Sequence, residues 1–269
     1  MSFALPSLNL PTQLANLTRN YRLIRDTEGM SPARVYQLVG KSQTLYLKIS
    51  DSRFRGTTYD VEREKELLLW LQGKLPVPEV LHFEQHDGMS YLLMIAVRGQ
   101  AGGFDYEEHR DPERMIRIYS DGIRLIQSVD ISDCPFESHI DFRLRELDYL
   151  LRNGLADVDT DQWQDDTPFS DPAELYAFLQ THKPAEELVF SHGDFGDSNI
   201  FIENNQISGL IDWGRGGKAD RWYDIAFCVR SIRDDLGGHP KHLDLFFNLL
   251  GVAPDWEKIK YYILLDEMF

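Results

Sequence analysis

The segment Phe190 to Gly214, FSHGDFGDSNIFIENNQISGLIDWG, places Asp194, Asn199 and Asp212 across a loop, a hairpin and a second loop. An aspartate followed by an Asn/Asp pair at this spacing suits phosphoryl transfer from a nucleotide. One carboxylate orients the acceptor hydroxyl, while an amide and a second carboxylate hold magnesium on the phosphates. The apolar runs predict strands at Leu188–Phe190, Ile200–Ile202 and Ile207–Ile211, with Asn204-Asn205 as the hairpin turn. That pattern brings the three polar side chains to one end of a small sheet. His192 reads as a structural histidine that bonds the loop, since Asp194 already fills the role of base; Asp197 reads as a loop-capping carboxylate. The bland alternative is an Asx-rich hairpin without chemistry.

A nucleotide needs a second set of groups, and the first third of the chain offers one. In Thr44–Ser50, Leu45, Leu47 and Ile49 share the core face of a strand, and Tyr46 and Lys48 share the other. The next helix carries Val61, Glu64, Leu68 and Leu71 on one stripe. A carboxylate on a core-facing stripe is costly unless paired, and Lys48 is the available partner. Such a pair holds the lysine on nucleotide phosphates; the alternative is a surface ion pair. Tyr46 suits stacking on an adenine or packing at the sheet edge. Amides around Met30 and Ser31, after Gly29, suit a phosphate-covering turn or an ordinary hairpin. The full set Lys48, Glu64, Asp194, Asn199 and Asp212 makes a chemistry-free reading improbable, where no single member does.

The surrounding elements divide in character near Ala96 to Gly102. Residues 1–97 read as an N-terminal lobe: a helix within Leu8–Asn20, strands at Tyr21–Thr27, Arg34–Val39 and Thr44–Ser50, a helix over Thr58–Gln72, and a hairpin of Val80–Gln85 and Tyr91–Ile95. Residues 98–269 read as a mostly helical lobe, with helices at Pro112–Ser128, Phe142–Asn153, Pro172–His182, Trp222–Leu236, His242–Leu250 and Trp256–Asp266. The expected class is α+β, as two lobes sharing a cleft.

Composition narrows the partners. Forty-four acidic against 28 basic residues leave a net charge of -16, which repels nucleic acid and anionic membranes. The acidity is clustered: Asp157, Asp159, Asp161, Asp165, Asp166, Asp171 and Glu174 come with no intervening Lys or Arg, and Asp234, Asp235, Asp266 and Glu267 follow near the C-terminus. A cationic ligand is the natural complement. A mean hydropathy of -0.37 and the absence of any run near the ~20 apolar residues of a span predict a protein with no membrane segment. The N-terminal sequence lacks a signal-peptide pattern, and Cys134 and Cys228 read as buried thiols of a reducing compartment, so a cytoplasmic location is expected.

Three stretches together resemble a known family: Ser191-His192-Gly193-Asp194 through Asn199; Ile211-Asp212-Trp213-Gly214-Arg215; and Ala219-Asp220-Arg221-Trp222-Tyr223-Asp224-Ile225-Ala226. They are similar to the aminoglycoside 3'-phosphotransferases. EGMSPARVYQLVG, TTYDVEREKELLLWLQGKLPVPEVLHFEQHDG, Asp165-Asp166-Thr167-Pro168-Phe169 and DWEKIKYYILLDEMF extend the resemblance, which is close to the type III members, over Tyr21 to Phe269. It implies a protein-kinase-like bilobal fold and transfer of the γ-phosphate of ATP to an aminoglycoside 3'-hydroxyl. It implies Asp194 as catalytic residue, Asn199 and Asp212 as Mg²⁺ ligands, and Lys48 with Glu64 at the phosphates. Tyr46 would stack on adenine, Ile95 and Val97 would offer hinge backbone to its edge, and Met30 and Ser31 would lie in the phosphate loop. Asp161, Arg215, Asp234, Asp235, Glu267 and the terminal carboxylate of Phe269 would line the antibiotic pocket, alongside Asp194.

The chain departs from the type III pattern in three places. Gln164 stands where a carboxylate is expected, Ala96–His109 differs after the hinge with Ala96 replacing an acidic residue, and the cysteines expected near Leu23 and Thr160 are absent. The last departure implies a monomer or weak dimer. Related kinases of choline, homoserine, macrolides or fructosamines fit the acidic acceptor side less well. HGD for HRD, IDWG for DFG and no APE motif disfavour a protein kinase, and the complete catalytic set disfavours a pseudokinase.

Overall fold

The computed structural model describes residues 8–27, 31–156, 158–164 and 166–269. Met30, expected in the phosphate-covering turn, lies outside the described residues, as do Asp157 and Asp165. The chain forms two compact units, Met1–Gln72 with Pro78–Ala96, and Gly73–Val77 with Val97–Phe269.

In the first unit, α1 (Thr12–Thr18) is followed by β1 (Arg22–Arg25), β2 (Arg34–Val39), β3 (Thr44–Asp51), α2 (Val61–Leu71), β4 (Val80–His86) and β5 (Met89–Ile95). The described strands make one antiparallel sheet in the order β1-β2-β3-β5-β4. Leu38, Leu45, Leu47, Ile49 and Leu93 bury one sheet face against Leu14 of α1. The first helix forms within the expected Leu8–Asn20, starting at Thr12 because Pro11 stands at its N-cap and the chain before it packs Leu8 and Leu10 on the sheet. The second begins at Val61 rather than Thr58: Asp60 is extended, and its carboxylate accepts from the Glu62 amide at 3.0 Å.

The second unit contains β6 (Gln100–Ala101), α3 (Gly102–His109), α4 (Pro112–Gln127), α5 (Ile140–Arg152), α6 (Pro172–Thr181), β7 (Leu188–Ser191), β8 (Ile200–Glu203), β9 (Gln206–Leu210), β10 (Gly217–Asp220), α7 (Trp222–Asp234), α8 (Pro240–Leu250) and α9 (Trp256–Asp266). The expected hairpin forms as β8–β9, and β6 adds to its edge. Asn204 and Asn205 have φ of 52° and 62°, a left-handed pair that a tight two-residue hairpin turn needs. Three elements were not legible in the pattern. β6 and β10 are too short to show alternation, and α3 begins with two glycines and holds few apolar residues. The helix expected from Phe142 begins at Ile140, where the His139 ring accepts from the Phe142 amide. Pro240 at the first helical position likewise starts α8 before His242.

Candidate active site

In the first unit, the face of β3 opposite the core carries Tyr46 and Lys48, and Glu64 projects from α2 beside them. Lys48 Nζ lies 2.7 Å from Glu64 Oε1 and 2.9 Å from Oε2, with Glu64 itself buried. The apolar stripe of α2 therefore carries a buried carboxylate because a lysine from the neighbouring strand meets it. The Tyr46 hydroxyl accepts from Gln37 Nε2 at 3.3 Å. Ile95 ends β5, where it pairs with Leu45, and Ser31 is exposed at the entry to β2.

In the second unit, the loop between β7 and β8 holds Asp194 and Asn199. Asn199 Nδ2 donates to the Asp194 backbone oxygen at 2.8 Å and to its Oδ2 at 3.1 Å. The Ile211 amide donates to the Asn199 carbonyl at 3.0 Å, which sets Asp212 one residue beyond the partner of Asn199. Asp212 has φ 63°, a left-handed conformation that a non-glycine residue holds only when its surroundings impose it. Burial pushes the Asp194 carboxyl up, Arg215 opposes this, and Asp266 and Asp212 add to it. A raised carboxylate pKa makes a better proton acceptor at neutral pH.

Buried groups fix this loop, and one of them, Asp224, has no role that residue spacing shows. Asp224, in the first turn of α7, accepts from the His192 and Gly193 amides, each at 2.8 Å. Gly193 has φ 77°, and a Cβ there would lie 2.5 Å from the Arg215 carbonyl, so the turn before Asp194 admits glycine alone. The His192 Nε2 donates to the Ile211 carbonyl at 2.8 Å, and its ring packs 4.3 Å from that of Trp213. It is a buried bridge between the two loops, as its structural reading expects. Asp197 lies against Gly103 at the start of α3, where a Cβ would come within 2.7 Å of Oδ2.

Of the remaining expected residues, Arg215 follows Asp212 in the turn before β10, Asp161 lies ahead of Gln164, Asp234 and Asp235 end α7, and Glu267 and Phe269 lie at the C-terminus. Arg215 Nη1 lies 2.8 Å from Asp266 Oδ1, and Arg230 Nη1 lies 2.7 Å from Oδ2. Asp266 therefore belongs to a partly buried ion triad and is not a free carboxylate of the acidic cluster. The Arg143 guanidinium stacks 3.8 Å from the centroid of the Phe269 ring, and Arg215 lies 5.8 Å from the same ring. Arg143 is fully buried with Glu146 as its ion-pair partner; its position between Leu144 and Phe142 in the chain held no signal of this. Glu267 accepts from the Gln164 amide at 2.9 Å and from Thr167 Oγ1 at 3.2 Å, so the residue at the Gln164 departure meets Glu267 through its backbone. Asp166 pairs with Arg233 at 3.1 Å. These contacts tie the loop carrying exposed Asp161 to Glu267 and to the helix end bearing exposed Asp234 and Asp235.

Among the described residues no cluster of three or more His, Cys, Asp or Glu side chains is arranged to hold a metal ion. An amide oxygen and a carboxylate are nevertheless the hard donors that magnesium accepts when phosphate oxygens and water complete its shell. Asn199 turns its amide nitrogen toward Asp194, which leaves Oδ1 as its acceptor atom.

Residues 23–262 match the model of the phosphotransferase enzyme family. The chain is 62% identical over 262 residues to an aminoglycoside 3'-phosphotransferase of Enterococcus faecalis, covering 97% of this chain and 99% of that protein. It is 60% identical over 262 residues, at the same coverage, to one from Staphylococcus aureus. Among solved structures, an aminoglycoside 3'-phosphotransferase of type VIII superposes with a TM-score of 0.82 at 26% identity, over 96% of this chain and 97% of that one. The chain belongs to the phosphotransferase enzyme family and, within it, to the aminoglycoside 3'-phosphotransferases.

Proposed function

We propose that the protein transfers the γ-phosphoryl group of ATP to the 3'-hydroxyl of kanamycin- and neomycin-type aminoglycosides, and so inactivates these antibiotics. The observation that carries this reading is the frame in which Asn199 touches Asp194 and is itself bonded, through its backbone, to the residue before Asp212. Asp194 orients the acceptor hydroxyl and takes its proton as the oxygen attacks phosphorus and ADP departs. Asn199 and Asp212 are the residues that would hold Mg²⁺, which when bound neutralises charge on the phosphates. Lys48, kept in place by Glu64, supplies a positive charge to the α- and β-phosphates, and Tyr46 a ring for adenine, with Ile95 and Val97 offering backbone groups to its edge. Ser31 belongs to the turn over the phosphates.

The antibiotic's amines are met by Asp161, Asp234, Asp235, Glu267 and the terminal carboxylate of Phe269, with Arg215 holding Asp266 beside Asp194. Residues 1–97 bind the nucleotide, and residues 98–269 bind the antibiotic and carry Asp194 and the proposed metal ligands. The enzyme acts in the cytoplasm, where ATP is found, as a monomer or weak dimer. No described helix is long and apolar enough to cross a membrane.

Replacement of Asp194 tests the assignment. Asp194→Ala should lower kcat by at least ~10²-fold, the usual contribution of a positioned base, with ATP binding retained in an equilibrium assay. An unchanged kcat for ADP release with kanamycin would sink it. A 3'-deoxy aminoglycoside should be bound without turnover.

A further inference from the structure

The segment after the unit boundary wraps over the hairpin that ends in Asn199 and Asp212. Val97 packs directly on Gly209. The Arg98 carbonyl accepts from Ser208 Oγ at 2.7 Å. Gln100 and Ala101 pair with Ile202 and Phe201. The first turn of α3 then meets the Asp197 backbone at Gly102 and the Asp197 carboxylate at Gly103. The wrap closes with a charged clamp. Arg114 of α4 makes a two-pronged ion pair with Asp105 of α3, through Nη1 to Oδ2 and through Nη2 to Oδ1, the latter at 3.0 Å. Its remaining arm, Nε, donates to Asn205 Oδ1 at 2.9 Å, at the tip of the hairpin turn.

Arg114 thus joins three elements. Asp105 is buried, with 8% of its side chain exposed, and the Arg114 side chain is 18% exposed. A fork held in this way loses little freedom per bond, and a lysine lacks the geometry to replace it. The clamp grips the turn of β8–β9 at the end opposite Asn199 and Asp212. The third strand, β6, pairs with β8 over only two residues, and short ribbons are marginally stable, so the register of the hairpin's far end depends on what braces it. We infer that Arg114 is a positioning residue for the metal-binding pair, acting through Asp105 and Asn205 on the hairpin. This inference rests on the assignment of Asn199 and Asp212 as magnesium ligands. Side chains that bind metal or substrate need such support to stay within a fraction of an ångström of productive geometry.

The test is Mn²⁺ binding to the full-length enzyme with a non-hydrolysable ATP analogue, followed by electron paramagnetic resonance. Arg114→Met and Asn205→Gly should each weaken Mn²⁺ binding about fivefold, and the double variant no more than the stronger single one. Asn205→Gly keeps a residue suited to positive φ, so it remains informative if Arg114→Met fails to fold. Amides of β8 and β9 should exchange hydrogen faster in both variants, while kanamycin affinity stays within twofold. Arg117→Met, an exposed charge removed from the same helix, should change none of these. A lowered melting temperature with unchanged Mn²⁺ affinity would overturn the inference and leave a purely structural clamp. Asn199→Ala is the reference: if it does not weaken Mn²⁺ binding, the metal assignment fails and the clamp's role falls with it. Loss of Mn²⁺ affinity in Asn199→Ala alone refutes the clamp and spares the assignment.

Discussion

Asp266 shows how a residue's role depends on its partners. It belongs by sequence to an acidic C-terminal cluster, yet it sits between two guanidinium groups. Burial is the largest influence on its carboxyl and acts to raise it. Arg215 and Arg230 together outweigh burial and hold it below the usual carboxylate range. A group with a depressed folded pKa contributes stability that is present above its unfolded value, about 3.9, and is lost as pH falls through the folded value. Urea titrations over a pH series should therefore show wild type losing stability faster than Asp266→Asn as pH falls below about 4. The gap between the two should narrow with acid, whereas a gap constant over that range would contradict the triad as a source of stability. The Lys48–Glu64 pair was legible because one charged residue interrupts an apolar stripe. The Asp266 triad was not, because its arginines come from two distant segments with no periodic signature.

At the scale of elements, the catalytic loop owes its shape to a helix that follows it by some thirty positions. Asp224 satisfies two consecutive buried amides, of His192 and Gly193, from the first turn of α7. Asp224→Ala would leave the His192 amide without its acceptor and the Gly193 amide with only the Ser191 hydroxyl, at 3.2 Å, at a cost of roughly 1–3 kcal/mol for the unsatisfied amide. Chemical denaturation should register that loss. Turnover should fall about tenfold or more through displacement of Asp194, with the KM for ATP changed less; Asp224→Asn, which keeps an acceptor oxygen, should lose less of each. Stability equal to wild type in Asp224→Ala would mean that other groups hold the loop. Helix and strand positions followed from periodicity, and errors gathered at their ends, where Asp60, His139 and Pro240 act through caps and proline geometry. β6, α3 and β10 escaped notice because each is set by the element it pairs with or rests against.

For the whole molecule, the net charge of -16 is the property most directly coupled to substrate choice. Aminoglycosides are polyamines and ATP is an anion, so the long-range field attracts one and not the other. The KM for kanamycin should rise with ionic strength over the range where the Debye length falls from about 10 Å to a few Å, and the KM for ATP should change less. Equal salt responses would count against an acidic antibiotic pocket. The sequence by itself determined the class of fold, the residues Lys48, Glu64, Asp194, Asn199 and Asp212 proposed for phosphoryl transfer, and the expectation of a cationic acceptor. Each of these rests on local spacing, periodicity or summed charge, which survive in one dimension. Only the tertiary structure decided which charges are neutralised and which braces hold the reactive groups. The charge of Asp266 is balanced by two arginines, Arg143 lies against the Phe269 ring, Asp224 caps the loop before Asp194 and Arg114 reaches Asn205. All four are contacts between residues far apart in the chain, and side-chain reach across packed elements leaves no trace in the order of amino acids.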